Sequence, residues 1–133
     1  MTAHVLVPAV DEENVASFSR QVVTGILKDH LGFGGVVVSD DLDMKGGSST
    51  TDNTEATIRA IQAGCDVVLL CNTTPDAQWQ AIEALIRAVE RGDIKQSRID
   101  DAFKRQRQVK ERFAASLQAG PAIPPLDLVG RAE

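Results

Sequence analysis

The chain has 133 residues, of which 43% are hydrophobic and 25% are charged, and its formal net charge at pH 7 is −5. This composition is typical of one soluble globular domain or of a piece of a larger one. The negative charge and the lack of a Lys/Arg run argue against a nucleic-acid surface. No apolar stretch approaches the ~20 residues that span a bilayer, and the start does not resemble a signal peptide.

The first third of the chain predicts a strand, a helix and a second strand. Residues 3–7 form a short apolar strand. Asp11 is a favourable N-cap, and apolar residues then recur at helical spacing to about His30, before a stop at Gly32. Residues 36–38 are three consecutive valines, which is typical of a strand buried on both faces of a parallel sheet.

The remainder of the chain continues this alternation. Residues 45–53, rich in Gly, Ser and Thr, predict a loop. A helix is expected over 54–63, a second buried strand over 66–71, and a helix that Pro75 opens at its first position. A last helix is expected to end near residue 117, and residues 119–133 form a tail that contains three prolines.

Two helices carry apolar side chains at helical spacing, which predicts that these side chains are buried. In the third predicted helix they are Trp79, Ile82, Leu85, Ile86 and Val89. In the last helix they are Ile99, Phe103, Val109 and Phe113.

The strand–helix alternation predicts an α/β fold with a parallel sheet and right-handed crossovers. Three strands are few, since a closed (β/α)8 barrel needs eight and ~250 residues. We expect the exposed strand edges to be covered by another copy of the chain, in a homo-oligomer that is a dimer.

The acids that follow the valine strand are the first candidate functional residues. Asp40, Asp41 and Asp43 come where the strand ends, and functional groups of parallel α/β sheets gather at the carboxyl ends of strands. Strand alternation sends Asp40 and Asp41 to opposite faces. The alternative is that one acid caps the following turn and the others are solvated.

Three ordered segments resemble one family. Residues 32–45, GFGGVVVSDDLDMK, resemble the signature of the family 3 glycoside hydrolases, in particular the bacterial β-N-acetylhexosaminidase branch. Residues 1–5, MTAHV, resemble the strand before it, and residues 60–71, AIQAGCDVVLLC, resemble the helix end and strand after it. The likeness covers roughly residues 1 to 115.

This resemblance implies a partial (β/α)8 TIM barrel, consisting of the last three parallel βα units plus a C-terminal helix, over residues 1–118. It implies retaining hydrolysis of terminal β-linked N-acetylhexosamine, with Asp40 as the nucleophile and no metal or cofactor. His4 and Met44 are implied as neighbours of the sugar.

In this branch the acid/base is a histidine, paired with an aspartate, on a loop that precedes the strand matching residues 1–5. A Lys-His motif that helps to hold the sugar also lies upstream of that strand. The chain therefore corresponds to a fragment or truncated form that we expect to be inactive alone.

Other interpretations compete with this one. A histidine on an apolar strand, such as His4, is typically buried and hydrogen-bonded. Met44 could simply fill the top of a barrel. Trp79 is more typical of a core residue than of a platform on which a sugar stacks. The whole chain could be a non-catalytic half-barrel that serves binding or assembly. A receiver-like signalling domain, with acids at Asp11 and Asp40, fits worse because too few elements separate those acids.

The two cysteines flank one predicted strand. Six extended residues place the Cα atoms of Cys65 and Cys71 roughly 20 Å apart, which is beyond disulfide reach. Their spacing is not a metal pattern either. We expect two buried free thiols and a reducing, cytoplasmic location.

Overall fold

A computed structural model describes residues 1–44 and 52–119, with side chains as far as residue 114. Most of the predicted loop and nearly all of the proline-containing tail lie outside the described residues. The described elements are helices mixed with short strands. They comprise β1 (Leu6–Val7), β2 (Asp11–Val15), a 3-10 turn (Ala16–Phe18), a π-helix (Gln21–His30), β3 (Val38–Asp41), α1 (Asn53–Ala63), β4 (Val67–Leu69), α2 (Pro75–Glu90) and α3 (Gln96–Ala119).

The helix expected to begin at Asp11 begins ten residues later. Asp11 starts β2 instead, which pairs antiparallel with β1. Its Oδ1 accepts the N–H groups of Glu13 (3.1 Å) and Asn14 (3.0 Å). The same contacts would satisfy a helix N-terminus, so the local pattern of Asp11 suits both structures. The predicted stop at Gly32 is confirmed, because its φ of 66° ends the π-helix.

Two of the three predicted parallel strands are confirmed. β3 and β4 pair in parallel. The predicted first strand is wrong as a member of that sheet, because Leu6–Val7 turns back into the antiparallel hairpin with β2. The segment before it still lies along β3, since the N–H of Thr2 donates to the carbonyl of Val38 over 2.8 Å.

The main hydrophobic core lies between the π-helix, β3 and α1. Gly64, the C-cap of α1, allows the close contact between the two helices. Its φ is 123°, and a Cβ atom there would lie 2.6 Å from Oγ1 of Thr24. That hydroxyl donates to the carbonyl of Ala63 over 2.7 Å. The buried members of the core are Phe18, Val23, Val37, Leu42, Ala56, Ala60, Ala63 and Cys65.

The apolar stripe of α2 is only partly buried, contrary to prediction. Trp79, Ile82 and Ile86 are 66%, 48% and 53% exposed. The helix packs through small residues, Ala81 and Ala88, which allow its backbone to approach. The remaining stripe positions, Leu85 and Val89, pack against a second cluster together with Ile99 of α3. Phe103 and Phe113 of α3 are also exposed, so their predicted burial is wrong.

A buried carboxylate joins the amino ends of β3 and β4. The side chain of Asp66 is fully buried, and its oxygens accept the N–H of Val37 over 2.9 Å and the Lys28 ammonium over 2.9 Å. Arg98 of α3 also bonds this carboxylate. Burial lowers the pKa of Lys28, although the hydrogen bond to Asp66 acts in the opposite direction.

The network continues along α3. Asp101 lies 2.7 Å from Nη1 of Arg98 and 3.0 Å from Nε of Arg105. Burial acts to raise the pKa of Asp101, but the hydrogen bond and charge of Arg105 together bring it below its ordinary value. Arg105 also donates to the carbonyls of Phe33 (3.2 Å) and Gly35 (3.0 Å), so α3 is fixed to the turn before β3.

Candidate active site

The candidate site lies at the carboxyl ends of β3 and β4. Asp40 and Asp41 end β3, and Asp43 follows in the turn. Cys71 and Asn72 come just after β4. Because the strands are parallel, both sets of residues lie at one edge of the sheet.

Asp41 connects the two strand ends. Its Oδ1 accepts the N–H of Cys71 (3.0 Å) and of Asp43 (3.2 Å), and its Oδ2 accepts Nδ2 of Asn72 (2.9 Å). Its carbonyl accepts Nε2 of His4 over 3.0 Å. The carboxylate of Asp41 is therefore used to hold the loops together.

Asp43 is used in the same way. One of its oxygens accepts Nδ2 of Asn53, at the start of α1, over 2.6 Å. The other accepts the N–H of Asn72 over 3.1 Å. The segments that follow β3 and β4 and the first residue of α1 are thus joined through two carboxylates.

Asp40 differs from both neighbours. Its backbone is fixed, because its N–H donates to Oγ1 of Thr2 (3.3 Å) and its carbonyl accepts Oγ of Ser39 (2.7 Å). Its carboxylate is partly buried and accepts the N–H of Asp41 at Oδ1 over 2.9 Å. Within the described part of the chain, no other hydrogen bond or ion pair reaches this carboxylate. Oδ2 of Asp40 is therefore free of partners among the described residues, while the backbone on either side of it is held by hydrogen bonds.

His4 and Met44 lie beside this cluster. A carbonyl only accepts, so Nε2 of His4 carries the proton in its bond to Asp41. Nδ1 of His4 is buried and has no hydrogen-bond partner among the described residues, and its ring lies 5.8 Å from that of Phe18. Met44 is 50% exposed at the turn after β3. A contact of either with a sugar remains a prediction.

The sequence analysis did not single out Thr2 and Asn72. Both are polar residues at the same sheet edge as Asp40, so the strand-end rule that selected the acids could have selected Asn72 as well. Thr2 carried no such signal, because its role comes from the packing of the N-terminal segment along β3. Its hydroxyl lies 2.9 Å from that of Ser17.

The two cysteines are free, as predicted, but they are not both buried. Cys65 is buried and Cys71 is exposed. Burial raises the pKa of the Cys65 thiol to about 11. Loss of hydration, followed by the negative charges of Asp41, Asp43 and Asp40, raises the pKa of the Cys71 thiol above its ordinary value of 9.0.

We expect iodoacetamide to alkylate Cys71 slowly and Cys65 only after unfolding. Alkylation requires the thiolate, and the raised pKa values leave little of it at neutral pH. The rate at Cys71 should keep rising with pH beyond 9.0, as followed by intact mass. A Cys71→Ser variant is the control, and it should show no modification while it stays folded. Prompt double modification of the folded chain at pH 7 would contradict the expected result.

The described residues contain neither a metal-binding cluster nor a membrane-spanning helix. In residues 1–44 and 52–119, no group of three or more His, Cys, Asp or Glu side chains is placed to bind a metal ion. In the same ranges, no helix combines the length and apolar character that crossing a membrane requires.

Comparison with known proteins identifies the family of this chain. The sequence model of the glycosyl hydrolase family 3 N-terminal domain matches residues 1–109. The chain belongs to glycosyl hydrolase family 3. This excludes the receiver-like interpretation, and Asp11, which that interpretation needed beside Asp40, bonds within the β2 segment instead.

Individual relatives are β-hexosaminidases. The chain is 42% identical over 118 residues to the β-hexosaminidase of Aromatoleum aromaticum, which covers 88% of this chain and 32% of the relative. It is 47% identical over 85 residues to the β-hexosaminidase of Bordetella avium, and this match covers 64% of this chain and 24% of that relative. A solved family 3 β-N-acetylglucosaminidase from Paenibacillus sp. superposes with a TM-score of 0.83 and 39% identity, over 94% of this chain and 23% of that one. The chain thus spans about a quarter to a third of these relatives.

Proposed function

We propose that this chain is the C-terminal part of a family 3 catalytic (β/α)8 barrel, and that Asp40 is the nucleophile of a retaining β-N-acetylhexosaminidase. The observation that carries the proposal is the contrast among the three acids. Asp41 and Asp43 are used by loop contacts, whereas Oδ2 of Asp40 accepts no hydrogen bond from the described residues. The substrate is a saccharide with a terminal β-linked N-acetylhexosamine, by analogy with the relatives.

The chemistry requires a fixed carboxylate and a separate proton donor. In retaining hydrolysis the carboxylate oxygen bonds to the anomeric carbon while the leaving oxygen takes a proton from an acid/base ~5–5.5 Å away. A rigid mount favours attack, because it holds the oxygen near the reacting atom without further loss of entropy. The bonds from Asp40 to Thr2, Ser39 and Asp41 supply that mount.

We propose that the chain is inactive, or nearly so, on its own. Among the described residues, the side chains nearest in sequence to Asp40 do not offer a free acid. The side-chain oxygens of Asp41 and Asp43 accept hydrogen bonds from the loops, and His4 directs its Nε2 proton to a backbone carbonyl. The acid/base belongs to polypeptide equivalent to the larger part of the relatives, of which this chain spans 20% to 32% in the curated sequences.

The test uses a substrate whose leaving group departs without a proton. With 2,4-dinitrophenyl N-acetyl-β-glucosaminide, Oδ2 of Asp40 can bond to the anomeric carbon while dinitrophenolate leaves with the electron pair. We expect a glycosyl adduct by intact mass, because its hydrolysis also lacks a base. An ordinary aryl N-acetyl-β-glucosaminide should not turn over.

Two variants make this test specific. Asp40→Asn should form no adduct, whereas Asp76→Asn, which changes an exposed acid in the first turn of α2, should form the same adduct as the unmodified chain. An adduct that persists in Asp40→Asn would refute the assignment of the nucleophile. Turnover of the ordinary substrate that Asp40→Asn abolishes would refute inactivity but support the nucleophile.

A non-catalytic binding module is the second candidate. The observation in its favour is that no described side chain beside Asp40 is placed to donate a proton to a leaving group. Asp40 would then act only as a hydrogen-bond acceptor for sugar hydroxyls. Saturation-transfer NMR with N-acetylglucosamine separates the two candidates. Binding that Asp40→Asn weakens, without any adduct from the dinitrophenyl substrate, would favour the binding module.

A further inference from the structure

The pairing of β3 with β4 is irregular just before the acid cluster. Val38 pairs with Val67, and the next pair along the strands is Asp41 with Leu69. Three steps along β3 thus match two steps along β4. An extra residue in one strand of a pair forms a β-bulge, which bends that strand and redirects its side chains. The bulge of β3 lies within residues 39–40.

The bulge changes which side chains of this segment face the core. Val37 and Leu42 belong to the same buried cluster, although they are five positions apart. Regular alternation sends residues an odd number of positions apart to opposite faces of a sheet. The extra residue therefore lets Leu42 return to the core. Asp40 and Asp41 lie outside that cluster, and both are only partly buried.

A single hydroxyl group links the two strands at the bulge. Ser39 is fully buried. Its Oγ accepts the N–H of Leu69 over 3.0 Å and donates to the carbonyl of Asp40 over 2.7 Å. A serine hydroxyl can accept and donate at the same time. It thus connects β4 to the backbone of Asp40 at the point where the strand pairing is irregular.

We propose that Ser39 is a positioning residue for Asp40, because its hydroxyl holds the bulge that sets where the Asp40 carboxylate points. This inference rests on the proposed role of Asp40 as the nucleophile. Ser39 itself is buried and does not touch the sugar. It acts only through the backbone that carries the carboxylate.

Loss of the hydroxyl should displace the nucleophile. The N–H of Leu69 and the carbonyl of Asp40 would each lose a partner, and buried backbone groups seldom remain unpaired. The strands recover such bonds by relaxing toward a regular ladder, which moves the residues of the bulge. Misplacement of a reacting group by about 1 Å can slow a reaction about 100-fold.

The first test measures the rate at which the chain forms its glycosyl adduct with 2,4-dinitrophenyl N-acetyl-β-glucosaminide. In Ser39→Ala we expect the maximal rate to fall about 100-fold. The substrate concentration that gives half of the maximal rate should not change, because a buried hydroxyl makes no contact with the sugar. A loss of folded protein alone would lower the amount of adduct rather than the rate constant.

Ser19→Ala is the matched control. It removes the same hydroxyl from another fully buried serine, whose Oγ accepts the N–H of Val22 over 3.2 Å at the start of the π-helix. This variant should also be less stable than the unmodified chain, but its maximal rate of adduct formation should be unchanged.

Amide hydrogen exchange locates the carboxylate without any chemistry. The N–H of Asp41 donates to Oδ1 of Asp40 over 2.9 Å, so its protection reports the position of that carboxylate. Protection of the Leu69 amide reports the bond to Ser39. In Ser39→Ala both amides should exchange about tenfold faster, as expected for the loss of one hydrogen bond each. Amides of the α1 interior should stay protected, and Ser19→Ala should leave the Asp41 and Leu69 amides unchanged.

Several outcomes would overturn the role of Ser39. They are a maximal rate in Ser39→Ala equal to that in Ser19→Ala, unchanged protection of the Asp41 and Leu69 amides, or rapid exchange of both amides in the unmodified chain. Failure of the proposed nucleophile looks different, because the unmodified chain would then form no adduct that Asp40→Asn abolishes. The two amides would still decide whether Ser39 fixes the Asp40 carboxylate.

Discussion

Replacing Asp66 with asparagine is expected to lower the free energy of unfolding by about 3 kcal/mol, at the low end of the range for breaking one partner of a buried ion pair. The variant leaves Lys28 and Arg98 without their shared carboxylate, and their side chains are only 9% and 17% exposed. Asp101 remains 3.9 Å from Lys28 and 2.7 Å from Arg98, and it compensates in part.

Urea denaturation measures this effect, with an unchanged m value as the sign that both proteins unfold in one comparable transition. Asp93→Asn is the matched control. Asp93 pairs with Arg91, but the two side chains are 47% and 58% exposed, so the loss should stay below about 1 kcal/mol. Equal effects of the two substitutions would show that the buried network contributes nothing beyond an ordinary surface pair.

Leu42→Ala is expected to cost about 3 kcal/mol, because truncating a buried leucine removes transfer free energy and leaves a cavity. Leu42 is fully buried in the main core, and its N–H bonds to the carbonyl of Leu69. It stands between Asp41 and Asp43, so its side chain anchors the turn that carries both acids.

The control for this substitution is Leu31→Ala, which removes the same atoms from a side chain that is 66% exposed. Its effect should lie within about 0.5 kcal/mol. Thermal or urea unfolding of the two variants side by side provides the comparison. A Leu42→Ala variant as stable as Leu31→Ala would mean that the end of β3 is not held by the core.

The sequence predicted the helices and strands best where local chemistry and tertiary packing agree. The helix expected over 54–63 is found as α1, and the helix expected to open at Pro75 is found as α2. The parallel pairing of β3 and β4 follows from two buried apolar runs. A proline at a helix start, apolar periodicity and apolar runs are all properties of neighbouring residues, so they can be recognised from the sequence alone.

The errors arise where a local signal suits two structures. Asp11 accepts the amides of residues 13 and 14 in β2 as it would in a helix, so only packing of the hairpin decides between them. The stripe of α2 identifies an apolar face, but periodicity does not say whether anything covers it. In the sequence, Asp66 looks like an ordinary residue at the start of a strand. Its role in the buried network is not visible there, because its partners Lys28 and Arg98 are 38 and 32 residues away along the chain.

The candidate site was predicted in part for the same reason. Strand-end position selected Asp40, Asp41 and Asp43, but it could not tell which of them would be free. That difference depends on Cys71 and Asn72, which follow the neighbouring strand β4 and donate hydrogen bonds to Asp41 and Asp43. A prediction from one strand alone cannot include such contacts.

The buried charge network and the acid cluster occupy opposite ends of the same two strands. Lys28, Asp66 and Arg98 hold the amino ends, whereas Asp40 stands at the carboxyl end of β3. Protein engineering can therefore treat the two ends as separate design problems. Expression yield and heat tolerance are open to improvement around α3, and changes to the acid cluster should be confined to the residues that follow β3 and β4.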